Sequence, residues 1–310
     1  MARYITVRLV QGLIVILLIS VVTFIIMRLL PGDPVFLLLG EGGIRITDEQ
    51  IRDIRARWGL DDPWHVQYMT WVKNMFTGNF GKSLIRPGVP VRDMILEAIP
   101  VTFKINVAAL IIALMVALPG GILAAVKRNS VFDYGATIFS TLGVALPNFW
   151  IGLMLIVLFS LVLKWLPPFG LRSWQGYIMP VIVMSTLQMA VIMRVVRGGL
   201  IEELGEDYVR TARAKGLAER IVIVTHAVRN ALLPVVTVIG FQIAFILSGT
   251  IVVETVFALP GIGRLFTDSV FRLDYQVVQS IVFLLAVIVV VVNLLTDLTY
   301  AVIDPRIRIE

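Results

Sequence analysis

This sequence predicts an all-α integral membrane protein with six transmembrane helices. Three observations carry that expectation. Hydrophobic residues make up 58% of the 310 residues, charged residues only 15%, and the mean hydropathy is +0.91, well above a soluble domain, in which apolar residues make up about half. Several uncharged apolar runs reach the roughly 18 residues that a bilayer crossing requires. The basic residues flank these runs rather than forming one aromatic-interleaved patch, so the net charge of +6 reads as topology and not as nucleic-acid binding. Cysteine is absent, so no disulfide and no thiolate ligand can form.

Taken in order, Arg3 and Arg8 precede an apolar run from about Leu9 to Leu30. That run is longer than the core of a cleaved signal peptide and lacks a small-residue cleavage site, so it reads as a first span stopped by Pro31-Gly32-Asp33-Pro34. Residues 31–98 form the longest polar region. There Thr47 with Gln50 resembles a capping box, and Gly59 can end the short helix it starts. Asp62 is expected to cap a helix opened by Pro63, with Trp64, Tyr68, Trp71, Val72 and Met75 on one packing stripe and Gly78 as the stop. Gly81-Lys82-Ser83 ends like a phosphate-binding loop, but Phe76 stands where that motif requires its first Gly. With no other nucleotide fingerprint, the chain is not expected to hydrolyse ATP by itself.

Further spans are expected at about Ile99 to Val126, Tyr134 to Leu163, Tyr177 to Val196, Leu233 to Val256 and Val277 to Val302. Lys104, near one helix end, is expected to snorkel to the interface. Pro119-Gly120 marks a bend or a packing notch in the second span, and Pro147-Asn148 interrupts the third. An even number of spans puts both termini on one side. Counted near short loops, since long loops cross largely regardless of charge, that side carries Arg3, Arg8, Lys127, Arg128, the basic residues from Arg194 to Arg229, Arg306 and Arg308, against Lys164, Arg172, Arg264 and Arg272 opposite. The positive-inside rule therefore predicts cytosolic termini.

Ionisable groups inside the spans are few, namely Lys104, Glu254 and Asp297 with Asn293 one turn earlier. An ion-coupled carrier needs carboxylates or broken helices at the midplane, and no such cluster is evident. An intramembrane enzyme needs a nucleophile and base or metal ligands at depth; His65 and His226 are the only histidines, and both lie outside the spans. Ser248 with Gly249 reads as a small-residue helix contact.

The chain is organised around the polar stretch Glu202 to Pro234. Asp207 is expected to cap a short charged helix that Gly216 closes in a left-handed turn. From about Ala218 to Leu233, Ile221, Val224, Val228 and Leu232 fall at helical spacing and are expected to form one buried face. The wording of Tyr208-Val-Arg-Thr-Ala-Arg-Ala-Lys-Gly216 and His226-Ala-Val-Arg-Asn-Ala-Leu-Leu-Pro234 resembles the cytoplasmic loop of permease subunits of ATP-binding-cassette importers, in the dipeptide, oligopeptide and nickel permease family. Arg210-Thr211-Ala212 occupies the Glu-Ala-Ala place of the superfamily loop and Gly216 its Gly, while Leu233-Pro234 stands five residues later than the usual Leu-Pro. Leu259-Pro-Gly-Ile-Gly-Arg264 also looks like this family.

The resemblance implies a type I importer permease fold, with an N-terminal helix at 1–30, an extracytoplasmic region at 31–98 and a five-helix core at 99–310. A loop at about 197–232 would couple that core to the ATPase. The implied partners are a homologous second permease in a heterodimer, two ATPase subunits that bind ATP and Mg2+, an extracytoplasmic binding protein and membrane lipid, in a bacterial or archaeal plasma membrane. No cofactor or metal is expected on this chain. Glu206, Asp207, Tyr208, Arg210, Thr211, Ala212, Arg213, Lys215 and Gly216 would form the coupling site. Pro119, Gly120, Pro147, Asn148, Ser248 and Glu254 are candidates for gating or for lining the cavity. Peptides are the implied cargo, with glutathione, nickel chelates and oligosaccharides as alternatives, and an ion-coupled carrier as the alternative class.

Overall fold

The computed structural model describes residues 2–30, 47–57, 59–86, 88–244 and 250–303. The expected stop at Pro31 to Pro34, Ser248, the tail from Asp304 and the side chains of Gln50 and Asp297 lie outside them. The elements are helical: α1 (Ala2–Leu29), α2 (Asp48–Arg57), α3 (Trp64–Phe76), α4 (Val91–Val126), α5 (Val131–Ala145) and α6 (Asn148–Leu155), which runs on as a π-helical stretch at Ile156–Val162. They continue with α7 (Ile178–Glu203), α8 (Asp207–Ala214), α9 (Glu219–Ala231), α10 (Leu233–Ala244), α11 (Ile251–Val256), α12 (Ile262–Phe271) and α13 (Tyr275–Ile303).

Among the described residues, four helices are long and apolar enough to cross a membrane, and the number rises to six if each of two bent pairs counts as one span. The interruption expected in the third span at Pro147-Asn148 is borne out, because α5 and the helix from Asn148 diverge by 103°. Pro147 cannot donate a backbone hydrogen bond and disfavours helical geometry in Leu146 before it, whose ψ is 128°, so the chain leaves the helix there. Of the fifth expected span, Leu233 to Val256, the described residues show α10 up to Ala244 and α11 from Ile251, with Thr250 as the N-cap of α11, and α10 pairs with α9 across a 46° bend before Pro234. Pro119, by contrast, leaves α4 unbroken.

The chain divides into two compact units, Met1–Pro100 with Pro260–Glu310, and Val101–Leu259. In the first, α1 lies along α13, with Ile16 and Phe24 meeting Phe283 and Ala286 and the α3 side chains Trp71 and Met75 closing the cluster. Trp71 and Met75, with Tyr68 and Val72 half-buried beside them, bear out most of the packing stripe of α3, but Trp64 on its first turn is exposed; Gly78 ends the helix at φ +74° as expected. Its start differs, since Pro63 itself is the N-cap and the Asp62 side chain makes no cap bond; the fixed proline φ, here −56°, lets the ring occupy that junction. Arg28, on the last turn of α1, donates to Gln67 Oε1 at 2.6 Å, and its guanidinium lies over the rings of Phe24 and Tyr275. The cation is thus held beside the apolar cluster by an amide and two π faces, while its Nη1 is buried without a hydrogen-bond partner.

The second unit is held by small residues that let helices approach closely. A Cβ on Gly143 of α5 would stand 2.8 Å from Ala190 of α7, and one on Gly120 of α4 would stand 2.8 Å from Met193. Pro119-Gly120-Gly121 is therefore a packing notch, the role that small residues take between membrane helices. At Gly121 the obstacles are backbone and branched side chain, Met193 O and Val196, both at 2.9 Å. Gly121→Val is expected to cost about 1–3 kcal/mol by overpacking, whereas Gly135→Ala, with open space around it, should be neutral. Thermal unfolding of the detergent-solubilised protein would separate the two.

Candidate functional site

The stretch after α7 folds back as a helix-turn-helix. The helix α8 is strongly two-sided: Val209 and Ala212 are buried, while Asp207, Arg210, Thr211, Arg213 and Ala214 are exposed. Its inner face joins Leu200 of α7, Ala125 of α4, and Val222, Ala227 and Ala231 of α9 in one apolar cluster. A helix of two turns is unstable alone in water, so this cluster is what keeps α8 folded.

The expected cap shifts by one residue. Glu206, in extended geometry, is the N-cap without a side-chain bond, and Asp207 is the first helical residue. There its carboxylate faces the positive end of the helix dipole and lies 3.3 Å from Arg210. The helix closes as expected: Gly216 adopts φ +77° and its N–H donates to Arg213 O at 2.9 Å. Arg213 is paired inside the chain, with its Nη2 2.8 Å from Glu219 Oε1 across the Gly216 turn, and that carboxylate raises its pKa. Lys215 and Gly216 are exposed.

Tyr208 ties the motif together. Its hydroxyl donates to the Glu203 carboxylate at the end of α7, accepts from Asn230 Nδ2 at 3.0 Å, and lies 3.4 Å from the carbonyl of His226. Desolvation, followed by the Glu203 bond, pushes the phenol pKa above its usual 10. One side chain thus joins α7, α8 and α9.

The expected buried face of α9 is corrected. Ile221 and Val224 are exposed, and Val222, Ala227 and Ala231 point inward instead. Residues Val222–Ala227 form a π-helical turn, whose bonds skip to the fifth residue, so the inward positions are spaced by five before the normal four returns.

The residues suggested for gating lie in three places. Pro119 is exposed beside the Gly120 notch; Pro147 and Asn148 form the sharp break before α6; Glu254 is fully buried in α11. Its Oε1 accepts from Thr102 Oγ1 at 2.6 Å and Thr250 Oγ1 at 2.8 Å, which joins α11 to α4. Thr102 was not singled out in the sequence, and a threonine in an apolar run carries no signal of its own.

A second unforeseen link is Asp133. Its carboxylate, 2% exposed on the first turn of α5, is held by Arg197 of α7, with Nη2 at 3.1 Å, and accepts the N–H of Asn129 at 2.9 Å. Ser130 and Asp133 have the spacing of a capping box, which was the available signal. Ser130 makes no such cap, however, and its hydroxyl is buried without a partner.

The chain as a whole is similar to known proteins. Residues 117–309 match the family described as binding-protein-dependent transport system inner membrane component, and residues 1–106 match the corresponding N-terminal model. The chain is 40% identical to an oligopeptide transport system permease protein, AppB, of Bacillus subtilis, over 99% of this chain and 100% of the relative. It is also 40% identical to the dipeptide transport system permease protein DppB of Escherichia coli K12 and to the di/tripeptide permease protein DppB of Pseudomonas aeruginosa, over 94% of both chains in each case. The chain therefore belongs to the inner-membrane components of binding-protein-dependent transport systems, the multi-pass permease subunits of ABC importers.

Proposed function

We propose that this chain imports short peptides, as one permease of a heterodimer served by two ATPase subunits and an extracytoplasmic binding protein in a bacterial plasma membrane. The observation that carries the reading is identity near 40% over essentially the full length to permeases named for dipeptides, di/tripeptides and oligopeptides. ATP and Mg2+ bind at the partner ATPases, and this chain supplies the path. The termini and the loop at about 197–232 face the cytosol, residues 31–98 lie outside, and 99–310 form the translocating core.

In this reading the exposed face of α8, from Glu206 to Gly216, docks in a groove of one ATPase. Closure of the ATPases on ATP moves α8, and Tyr208 passes that motion to α7 through Glu203 and to α9 through Asn230. ATP works by binding one state of the assembly more tightly than the other. The test is purification under mild detergent with identification of the co-purifying chains, followed by ATP-driven uptake of labelled dipeptide in proteoliposomes. Recovery of a second six-span permease and ABC ATPases, with ATP-dependent uptake, is the expected result. A homogeneous assembly of this chain alone that transports without ATP would overturn it.

A further inference from the structure

We propose that a cleft in the first unit, formed by the Ser83–Arg86 turn, the start of α4 and the face of α12, binds the two charged ends of a short free peptide. The inference rests on the peptide-import reading above and gives the cargo a contact on this chain. The cavity measures about 430 Å³, within the range of small-molecule sites. Its floor is apolar, from Met94 and Ala98 of α4 and Leu265 of α12. Its rim carries both signs of charge, Arg86 and Glu97 together with Arg264 and Asp268, which pair with each other at 3.7 Å.

The turn that bears Arg86 is built from beneath. Asp274 is 2% exposed and lies 191 residues along the chain from Ser83, yet its carboxylate accepts the Ser83 hydroxyl and the Leu84 N–H, the latter at 3.1 Å. Ser83 Oγ in turn accepts the N–H of Arg86 at 2.9 Å. A buried carboxylate thereby fixes the backbone of an exposed arginine, the kind of support that precise binding groups require. A smaller cavity of about 70 Å³ continues the cleft toward Arg272 and Asp274. The opposite wall is Pro260-Gly261, so the Leu259-Pro-Gly-Ile-Gly-Arg264 segment that stands out in the sequence supplies both a wall and a cation.

A guanidinium grips a carboxylate through two parallel N–H bonds, and a carboxylate holds an ammonium. Cations and anions on one apolar floor therefore suit a zwitterion with a small apolar body. A dipeptide, about 7 Å end to end, is the simplest ligand of that kind.

The test uses the assembled importer without its binding protein and follows saturation-transfer NMR titrations with dialanine, N-acetyl-dialanine and dialanine amide. Dialanine should bind, and Arg86→Gln and Glu97→Gln should each weaken it about tenfold. The amide should be indifferent to Arg86→Gln and the acetylated peptide indifferent to Glu97→Gln, because each has already lost the matching charge. Absence of dialanine binding, equal affinity in all three proteins, or equal losses for blocked and free peptides would overturn the proposal. If ATP-driven dipeptide uptake persists under any of these results, the import reading stands and only this site falls; if no peptide is carried at all, the import reading fails as well.

Discussion

Gly216→Val should lower peptide uptake tenfold or more while the chain still inserts and assembles. A Cβ at this position meets nothing within 4 Å, so steric conflict with neighbours is not the cause. The cost comes from the backbone: φ is +77°, a conformation that costs an L-residue about 1–2 kcal/mol and a β-branched one more. The substituted chain relieves that strain by opening the turn, which displaces Arg213 from Glu219 and tilts the exposed face of α8. Asparagine tolerates the left-handed region, so Gly216→Asn should retain uptake near the original level. Peptide carried per ATP hydrolysed in proteoliposomes checks both variants. Normal uptake by the valine variant would remove Gly216 from the coupling role.

Asp133→Ala should destabilise the protein by about 3 kcal/mol. Breaking a buried ion pair costs about 3–5 kcal/mol because the remaining charge stays desolvated. The lower end applies here, since Arg197 is 31% exposed and water can partly replace its partner. The substitution also strips the Asn129 N–H of its acceptor. Replacing both partners, Asp133→Leu with Arg197→Met, should recover most of the loss, because apolar pairs of similar volume often match a buried ion pair. Denaturation midpoints of the four proteins in a double-mutant cycle would measure the coupling. A double variant no more stable than Asp133→Ala would mean the site depends on something other than the pair.

What could be read from the sequence follows from which forces act locally. The long spans at α1, α4, α7 and α13 were legible because a bilayer imposes length and apolarity on contiguous residues. Gly216 was legible as a left-handed turn and Gly59 and Gly78 as helix ends, and all three take positive φ, +77°, +63° and +74°, because that requirement falls on a single residue. The helix α8 could be placed to within one residue, its cap moving from Asp207 to Glu206. The bonds of Glu254 to Thr102 and of Asp133 to Arg197 join residues 152 and 64 positions apart, and no local pattern encodes such pairs. The buried face of α9 was misread for a different reason: the expectation assumed one helical period throughout, and the π turn at Val222–Ala227 changes that period inside a single element.

That π turn also bears on how the chain tolerates changes in length. An i→i+5 turn holds one residue more than an i→i+4 turn, so it can give up that residue and close as ordinary α-helix. Loss of one residue within 222–227 would then be absorbed on the spot, leaving Ala231 and the bend at Pro234 in their present orientation. The same loss from the regular helix Asp207–Ala214 would have no such reserve and would rotate everything beyond it by about 100°. Single-residue gaps in otherwise continuous helices of related chains should therefore gather at Val222–Ala227 and at the second π stretch, Ile156–Val162.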